Sequence, residues 1–191
     1  LDIYRDNPLS KEGIELGRRL FYEPRLSIDN SHPCSSCHEQ VAAFGTFEHD
    51  RSHGVFESHT LRNAPVLFNL AWYPLLHWDG AIYSLEEQAI HPITGPTEMG
   101  DQFSNIQRKL EKVPYYRRAF QDVFNSTSIE PAHILKALAQ FTGTLISANS
   151  KYDRVVQGQA VFTAQEASGY QIFQAHCNTC HLEPLFTDHS F

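Results

Sequence analysis

The chain has 191 residues, a formal net charge of −7, 41% hydrophobic residues and 19% charged residues. This length is enough for one ordinary domain or two small ones, and the composition is too apolar for a disordered chain. No basic stripe is present, so we expect no nucleic-acid partner. No apolar run reaches the roughly 18 residues that a membrane span needs. The first residues lead directly into polar sequence, as in a cytosolic chain or in an exported chain after processing.

The first half of the chain alternates helical signals with a long irregular stretch. Ser10 is expected to cap a helix over residues 11–21. Residues 22–83 are loop-rich, and loops of this length in a compact domain usually serve a function. The capping box at Ser84–Glu87 predicts a short helix that reaches His91 and ends at the following proline.

The second half of the chain is predicted to be helical throughout. A helix is expected near Ser104–Val113, and Pro114 suits the first turn of the next one. The longest helix is predicted to start at Pro131, with a helical apolar period that reaches Ile146. A second capping box, Thr163–Glu166, opens the last helix. No strand-like alternation is present, so we predict an all-α protein.

The cysteines are the most informative residues of the chain. All four fall in two C-x-x-C-H motifs, which is the attachment signature of c-type haem. One helical turn carries two thiols to the two vinyl groups of one porphyrin, and the next residue places an imidazole under the iron. The candidate haem-binding residues are Cys34, Cys37, His38, Cys177, Cys180 and His181.

Three other uses of these cysteines are weighed against haem. A zinc site normally brings its two C-x-x-C pairs within about 15–20 residues of each other. A redox dithiol does not require the trailing histidine, and structural disulfides would leave both histidines unused. Two covalent haems are therefore favoured, and they imply an exported protein, in the periplasm or on an outer face, whose signal peptide is expected to have been removed.

A weak internal repeat surrounds the two motifs. The pattern Gly-x-x-apolar-Phe precedes each motif, at Gly17–Phe21 and at Gly169–Phe173, and Phe44 and Phe186 follow the motifs. A glycine lets two helices approach closely, and a phenylalanine can pack near a porphyrin edge. The repeat suggests two cytochrome c units, although coincidence among common residues is the alternative.

Together these features resemble the bacterial di-haem cytochrome c peroxidases, the family that also contains MauG. The order and spacing of several stretches carry the resemblance: Leu20–Ser27, Cys34–His38, Arg62–Pro65, Trp78–Gly80, Leu85–Gln88, Pro92–Ile93, Glu98–Gly100, Phe173–His181 and Leu185–Asp188. The resemblance implies two cytochrome c-like haem domains with long loops. Residues 1–150 would bind peroxide, and residues 151–191 would begin the electron-transfer domain, which is expected to be incomplete.

The resemblance also assigns roles to three side chains. Glu98 and Gln88 sit where the family keeps its distal acid and amide, and Trp78 matches the tryptophan that the family places between its haems. The alternatives are exposed surface roles for Glu98 and Gln88 and a core role for Trp78. The family often has Phe before this tryptophan and Arg after the glycine, whereas this chain has His77 and Ala81.

Eleven histidines raise the question of which ones bind metal. His38 and His181 are the predicted proximal ligands. The resemblance makes His53 the candidate resting ligand on the other face of the N-terminal haem, with His59 as its rival and an open site as the third option. Asn63 matches a family side chain that binds calcium, and an ordinary turn asparagine is the alternative.

The resemblance implies a peroxidase that reduces hydrogen peroxide with electrons from a small redox protein of the cytochrome c or cupredoxin type. The alternatives are a MauG-like oxidase of a partner protein and a non-enzymatic electron carrier. The sixth ligand of the C-terminal haem would separate the first two, since peroxidases use methionine there and MauG uses tyrosine. Family members are often dimers.

That sixth ligand is expected to lie outside these residues. Met99 is the only methionine, and the family assigns its motif to the other haem. Only ten residues follow His181. We therefore expect roughly a further 100 or more residues, in line with a second domain of typical size.

Overall fold

The computed structural model describes residues 4–46 and 49–190. Across these residues there is no β-strand, only three isolated bridges, which confirms the predicted all-α class. The α-helices are α1 (Lys11–Phe21), α2 (Ile90–Thr94), α3 (Phe103–Glu111), α4 (Pro114–Phe124), α5 (Pro131–Thr142), α6 (Lys151–Val156) and α7 (Ala164–His176). Short 3₁₀ turns occupy Pro24–Leu26, Cys34–Ser36, Gln40–Ala42, Val55–Glu57, Leu70–Trp72 and Glu87–Ala89.

The chain divides into two compact units, Leu1–Leu145 and Ile146–Phe191. The core of the first unit is built around the contact between α1 and α5. A side chain at Gly17 would place its Cβ 1.9 Å from the carbonyl oxygen of Ala137, so the two helix backbones touch there. The largest fully buried side chains of this core are Leu16, Leu20, Phe21, Leu26, Val55, Ile93, Ile106, Leu110, Phe120, Ile129, Ile134 and Leu138.

The short helix predicted after Ser84 differs from the observed one. The Ser84 hydroxyl accepts the backbone N–H groups of Glu86 and Glu87 at 3.2 and 3.3 Å, as the capping box predicts. The α-helix nevertheless begins only at Ile90, and Pro92 lies inside its first turn. A proline is tolerated there because first-turn N–H groups have no intrahelical acceptor. The prediction that this proline ends the helix was therefore wrong.

Of two other predicted helices, one begins where it was expected to and one ends earlier than expected. Ser10 caps α1 through a 2.9 Å bond from Gly13, as expected. Helix α5 starts at Pro131 but ends at Thr142, short of Ile146. Beyond its end the carbonyl of Leu145 accepts the N–H of Asn69 at 2.8 Å. Past the helix end, Leu145 still packs against the core, whereas Ile146 is 54% exposed.

The loop-rich stretch is tied to the helical core by specific polar contacts. The N–H of Ile28 donates to the carbonyl of Met99 at 2.9 Å. The ammonium group of Lys109 donates to the carbonyl of Ser27 at 2.6 Å and pairs with the buried Asp101 carboxylate at 2.6 Å. These contacts hold the segment before the first haem motif and the segment after α2 on the same helix, α3.

The second unit contains α6 and α7. Both begin with a complete capping box, which Ser150 and Asp153 form for α6 and Thr163 and Glu166 form for α7. The second box was predicted. In the described parts of the chain, no helix has the length and apolar character that a membrane span requires.

Candidate functional site

A cavity of about 560 Å³ lies within the first unit. Its volume falls in the range of small-molecule and cofactor sites. Its walls include the first C-x-x-C-H motif together with most of the other predicted site residues of this unit: Cys34, Cys37, His38, His53, Asn63, Trp78, Gln88 and Glu98. Residues distant in sequence thus converge on one site.

The first C-x-x-C-H motif forms a single tight turn. The N–H groups of Cys37 and His38 both donate to the carbonyl of Cys34, at 3.2 and 3.0 Å. Burial raises the pKa of Cys34 to about 12, so its sulfur is a neutral thiol in the haem-free chain. The turn brings both thiols and the imidazole to one wall of the cavity, as covalent haem attachment requires.

The imidazole of His38 is oriented by the backbone. Its Nδ1 lies 2.8 Å from the carbonyl oxygen of Phe44. Since a carbonyl only accepts, Nδ1 carries the proton and Nε2 keeps the lone pair that a metal needs. Phe44 adopts a left-handed φ of 59°, which belongs to the turn that returns its carbonyl to the ring. Burial also lowers the pKa of His38 and so favours the neutral imidazole.

The second motif repeats this arrangement in the second unit. The N–H groups of Cys180 and His181 donate to the carbonyl of Cys177 at 3.2 and 3.0 Å. The Nδ1 of His181 lies 3.0 Å from the carbonyl of Phe186, whose φ is 57°. Two motifs with the same turn and the same histidine orientation fit two covalently bound haems.

Metal binding away from the C-x-x-C-H motifs has limited support. Within residues 4–46 and 49–190, no group of three or more His, Cys, Asp or Glu side chains is arranged to hold a metal ion. Asn63 offers one feature that suits a cation. Its Oδ1 atom is buried and receives no hydrogen bond, while its Nδ2 lies 3.5 Å from the carbonyl of Thr46.

Glu98 lies in the tight turn that follows α2. Its backbone carbonyl accepts the N–H of Val55 at 2.8 Å. A Cβ on Gly54 would lie 2.1 Å from the carbonyl of Thr97, so the two segments touch. Burial raises the pKa of the Glu98 carboxyl, and the charge of His91 opposes this shift. The half-buried carboxyl therefore holds its proton more tightly than an exposed glutamate does.

Gln88 and Trp78 lie on the same cavity. The Trp78 side chain is 53% exposed, and its Nε1 donates to the carbonyl of Asn63 at 2.8 Å. A core role for this tryptophan does not match that exposure. Gln88 is half-buried, and its carbonyl accepts a 3.3 Å bond from Nε2 of His77. The roles predicted for Gln88 in the haem pocket and for Trp78 between the haems stay predictions.

The two candidate resting ligands are neighbours with different placements. His53 lines the cavity, whereas His59 is not among the lining residues. Their ring centroids are 4.5 Å apart, and those of His49 and His53 are 4.8 Å apart. This geometry favours His53 over His59 without testing ligation.

Two further cavity residues were not assigned a role from the sequence. His77 and His91 both line the cavity, and their ring centroids are 5.2 Å apart. His77 was noted only as a departure from the family pattern, and His91 only as a helix end. The sequence spacing could have identified His91 as a site residue, because it follows Gln88 by three residues and therefore lies on the same helical face.

Comparison with known proteins agrees with this geometry. Residues 11–161 match the family model of the di-haem cytochrome c peroxidases. The MauG protein of Methylorubrum extorquens is 36% identical over 97% of this chain and 53% of its own length. The cytochrome c551 peroxidase of Nitrosomonas europaea is 33% identical over 96% of this chain and 55% of its own length.

A solved structure shares the fold across nearly the whole chain. It is a MauG-like protein associated with microbial copper homeostasis, with a TM-score of 0.88 and 36% identity over 97% of this chain and 57% of that one. The chain thus spans about half the length of the relatives it matches. Since the family match extends from α1 through the first haem motif and the Glu98 turn to α6, the chain belongs to the di-haem cytochrome c peroxidase family.

Proposed function

We propose that this chain is the peroxide-binding part of a periplasmic di-haem peroxidase that reduces hydrogen peroxide to water. One observation supports this proposal above the others. A single cavity is lined by the oriented imidazole of His38 together with Glu98 and Gln88. An open position at a metal opposite its proximal ligand, beside a proton donor, is what peroxide cleavage needs.

The chain's own residues would share the work as follows. A bound haem supplies an iron that binds peroxide and exchanges electrons. His38 holds it through Nε2, and Cys34 and Cys37 anchor it through thioethers. Glu98 would give its proton to the departing peroxide oxygen, and burial, which raises the pKa of this carboxyl, favours the protonated form that the role needs. The Gln88 amide donates a hydrogen bond that orients the substrate.

The electrons would enter through the second unit. We assign the haem of His181 to electron transfer, with Cys177 and Cys180 as its anchors, and Trp78 as a stepping point toward the first haem. A small redox protein of the cytochrome c or cupredoxin type would be the donor. Covalent haem attachment supports a periplasmic location for both units, and we also propose the homodimer that is common in the family.

A calcium ion is proposed at Asn63. The support is its buried Oδ1, which receives no hydrogen bond and so keeps a lone pair for a hard cation. Because the Asn63 carbonyl also accepts the Trp78 indole N–H, an ion there would fix the position of the tryptophan. Removing calcium with a chelator should slow electron delivery and leave the haem content unchanged.

A MauG-like oxidase is the second candidate. The 36% identity to a MauG protein and to a MauG-like structure supports it as directly as the peroxidase relatives support the first. Such a protein would withdraw electrons from a partner protein instead of accepting them from a donor. A non-enzymatic carrier would need both irons six-coordinate without any activation.

Steady-state peroxide turnover with a reduced cytochrome, measured before and after partial reduction, separates these functions. A peroxidase consumes peroxide in proportion to the cytochrome oxidised and accelerates after partial reduction. A MauG-like oxidase consumes peroxide only with its protein substrate present. Absence of turnover in both assays would leave the electron carrier.

A further inference from the structure

Two histidines on the cavity wall have no part in the chemistry proposed above. His77 and His91 both line the cavity that holds Glu98. Their rings meet edge to face, with centroids 5.2 Å apart and an interplanar angle of 80°. An imidazole can take up a proton at one nitrogen and release one from the other. The pair is therefore suited to moving protons beside the proposed acid.

His77 is held in a defined orientation. Its Nε2 lies 3.3 Å from the carbonyl oxygen of Gln88. Since that oxygen can only accept, Nε2 of His77 carries the proton and Nδ1 is the basic nitrogen. The backbone of His77 has a left-handed φ of 67°, in a turn closed by backbone pairing between Leu76 and Ile82. Such conformations are rare outside glycine and cluster at functional sites.

His91 connects this pair with Glu98. The carbonyl of His91 accepts the N–H of Gly95 at 2.8 Å, and the carbonyl of Gly95 accepts the N–H of Glu98 at 3.0 Å. A Cβ on Gly95 would lie only 3.8 Å from the carboxyl carbon of Glu98. The carboxyl thus folds back over the turn that ends the helix of His91. The charge of His91 opposes the rise in pKa that burial causes at Glu98, so the carboxyl lies within range of that charge.

The exposure of the His91 and Glu98 side chains indicates the direction in which protons would move. His91 is exposed to solvent, whereas Glu98 is half-buried in the cavity wall. His91 is therefore the more accessible of the two groups to protons from water. His77 is half-buried, lines the same cavity and contacts the His91 ring edge to face.

We propose that His91, steadied by His77, delivers protons from solvent to the Glu98 carboxylate. This inference rests on the peroxide chemistry proposed above. Glu98 gives its proton to the departing oxygen and becomes a carboxylate. Protonated His91 then passes one N–H proton to that carboxylate and regains a proton from water. Reduction of one peroxide to two waters takes two protons along this route and two electrons from the donor protein.

The first test is turnover of the holoprotein in His91→Gly, with and without added imidazole. We expect a loss of about 10²-fold, the lower end of what a missing proton-transfer group costs. Free imidazole should restore much of the rate because it can occupy the vacated space. His133→Gln is the matched control, since His133 stacks on Phe124 away from the cavity and should keep the wild-type rate.

The second test needs no turnover. Hydrogen cyanide must lose its proton to bind ferric haem as cyanide, so its association rate in partially reduced protein, where no resting ligand blocks the N-terminal haem, reports proton transfer in the cavity. We expect slower association in both His91→Gly and His91→Gln, recovery with imidazole in the glycine variant, and a smaller effect in His77→Phe. If His91→Gly fails to take up haem, His91→Gln decides the outcome.

The two tests separate this inference from the proposed function. A wild-type protein that binds cyanide but reduces no peroxide would contradict the proposed function, while the cyanide rates of the variants would still judge the relay. Wild-type cyanide association in the His91 variants would overturn the relay, whatever their turnover. A slow rate that imidazole does not restore in the glycine variant would overturn it as well, since it would indicate a structural defect.

Discussion

Glu98 is the side chain on which the proposed chemistry depends most directly. We expect Glu98→Gln to lower peroxide turnover about 10²–10⁴-fold, the usual loss for a missing acid–base group. The amide keeps the size and polarity of the side chain but has no acidic proton. Haem content, read from the pyridine haemochrome spectrum, should stay normal. Wild-type turnover in this variant would assign Glu98 a surface role instead.

His53 carries the second expectation at this scale. If a side chain caps the N-terminal haem at rest, its replacement in His53→Gly should give a constitutively high-spin haem. Peroxide should then bind without prior reduction, because the sixth position is already open. Electron paramagnetic resonance of the oxidised protein measures this directly. His59→Gly is the matched control, and an unchanged low-spin signal in His53→Gly would point to His59 or another ligand.

The sequence predicted individual residues with uneven success. The C-x-x-C-H motifs carry their chemistry in local spacing, so their turns could be foreseen without the fold. The roles of Glu98 and Gln88 could be predicted only through the family resemblance. Nothing in the neighbouring sequence distinguishes Glu98 among the 22 acidic residues of the chain. His77 was missed as a cavity residue because a left-handed turn sets its direction, and no pattern in the sequence marks a histidine for that conformation.

Among the secondary-structure elements, the close contact between α1 and α5 leads to a prediction for the stability of the protein. Gly17→Ala would place a methyl group against the Ala137 carbonyl, which is backbone and cannot move aside easily. We expect a loss of about 1–3 kcal/mol in the free energy of unfolding, as for other overpacked cores. Urea denaturation measures it. Lys11→Ala, exposed on the same helix, should change stability little.

If Gly17→Ala left the free energy of unfolding unchanged, α1 and α5 could move apart without any loss of stability. The expected packing role of the repeated glycine already differs between the two units. In the first, Gly17 meets α5 directly. In the second, a Cβ on Gly169 would find no atom of the described chain within 4 Å. The repeat was therefore informative about packing in one unit and not in the other.

Element boundaries were less predictable than element identity. The N-terminal caps at Ser10 and Thr163 are local and were foreseen correctly. The start of α2 and the end of α5 depend on where loops attach, as at the bond between Asn69 and Leu145. Such long-range partners leave no periodic trace in the sequence.

For the whole molecule, we expect two haems per chain, each bound through two thioethers. Intact mass after acid–acetone extraction should exceed that of the bare polypeptide by two haem groups, since thioethers survive this treatment. The double substitution Cys177→Ala with Cys180→Ala should remove one haem. It should leave the haem of His38 in place but without its electron supply. A bare-polypeptide mass for the wild-type protein would contradict both expectations.

The pairing of each motif histidine with a phenylalanine carbonyl has a consequence for reactivity. A neutral carbonyl draws the Nδ1 proton less strongly than a carboxylate would, so the imidazole donates less electron density to the iron. The motif histidine would then contribute little electron density toward cleavage of the oxygen–oxygen bond. In the proposed peroxidase, assistance with that cleavage would come from Glu98 and Gln88, which line the same cavity as His38. A weakly donating imidazole would also destabilise an oxidised iron, so the carbonyl contacts of His38 and His181 would favour acceptance of electrons by haems held there.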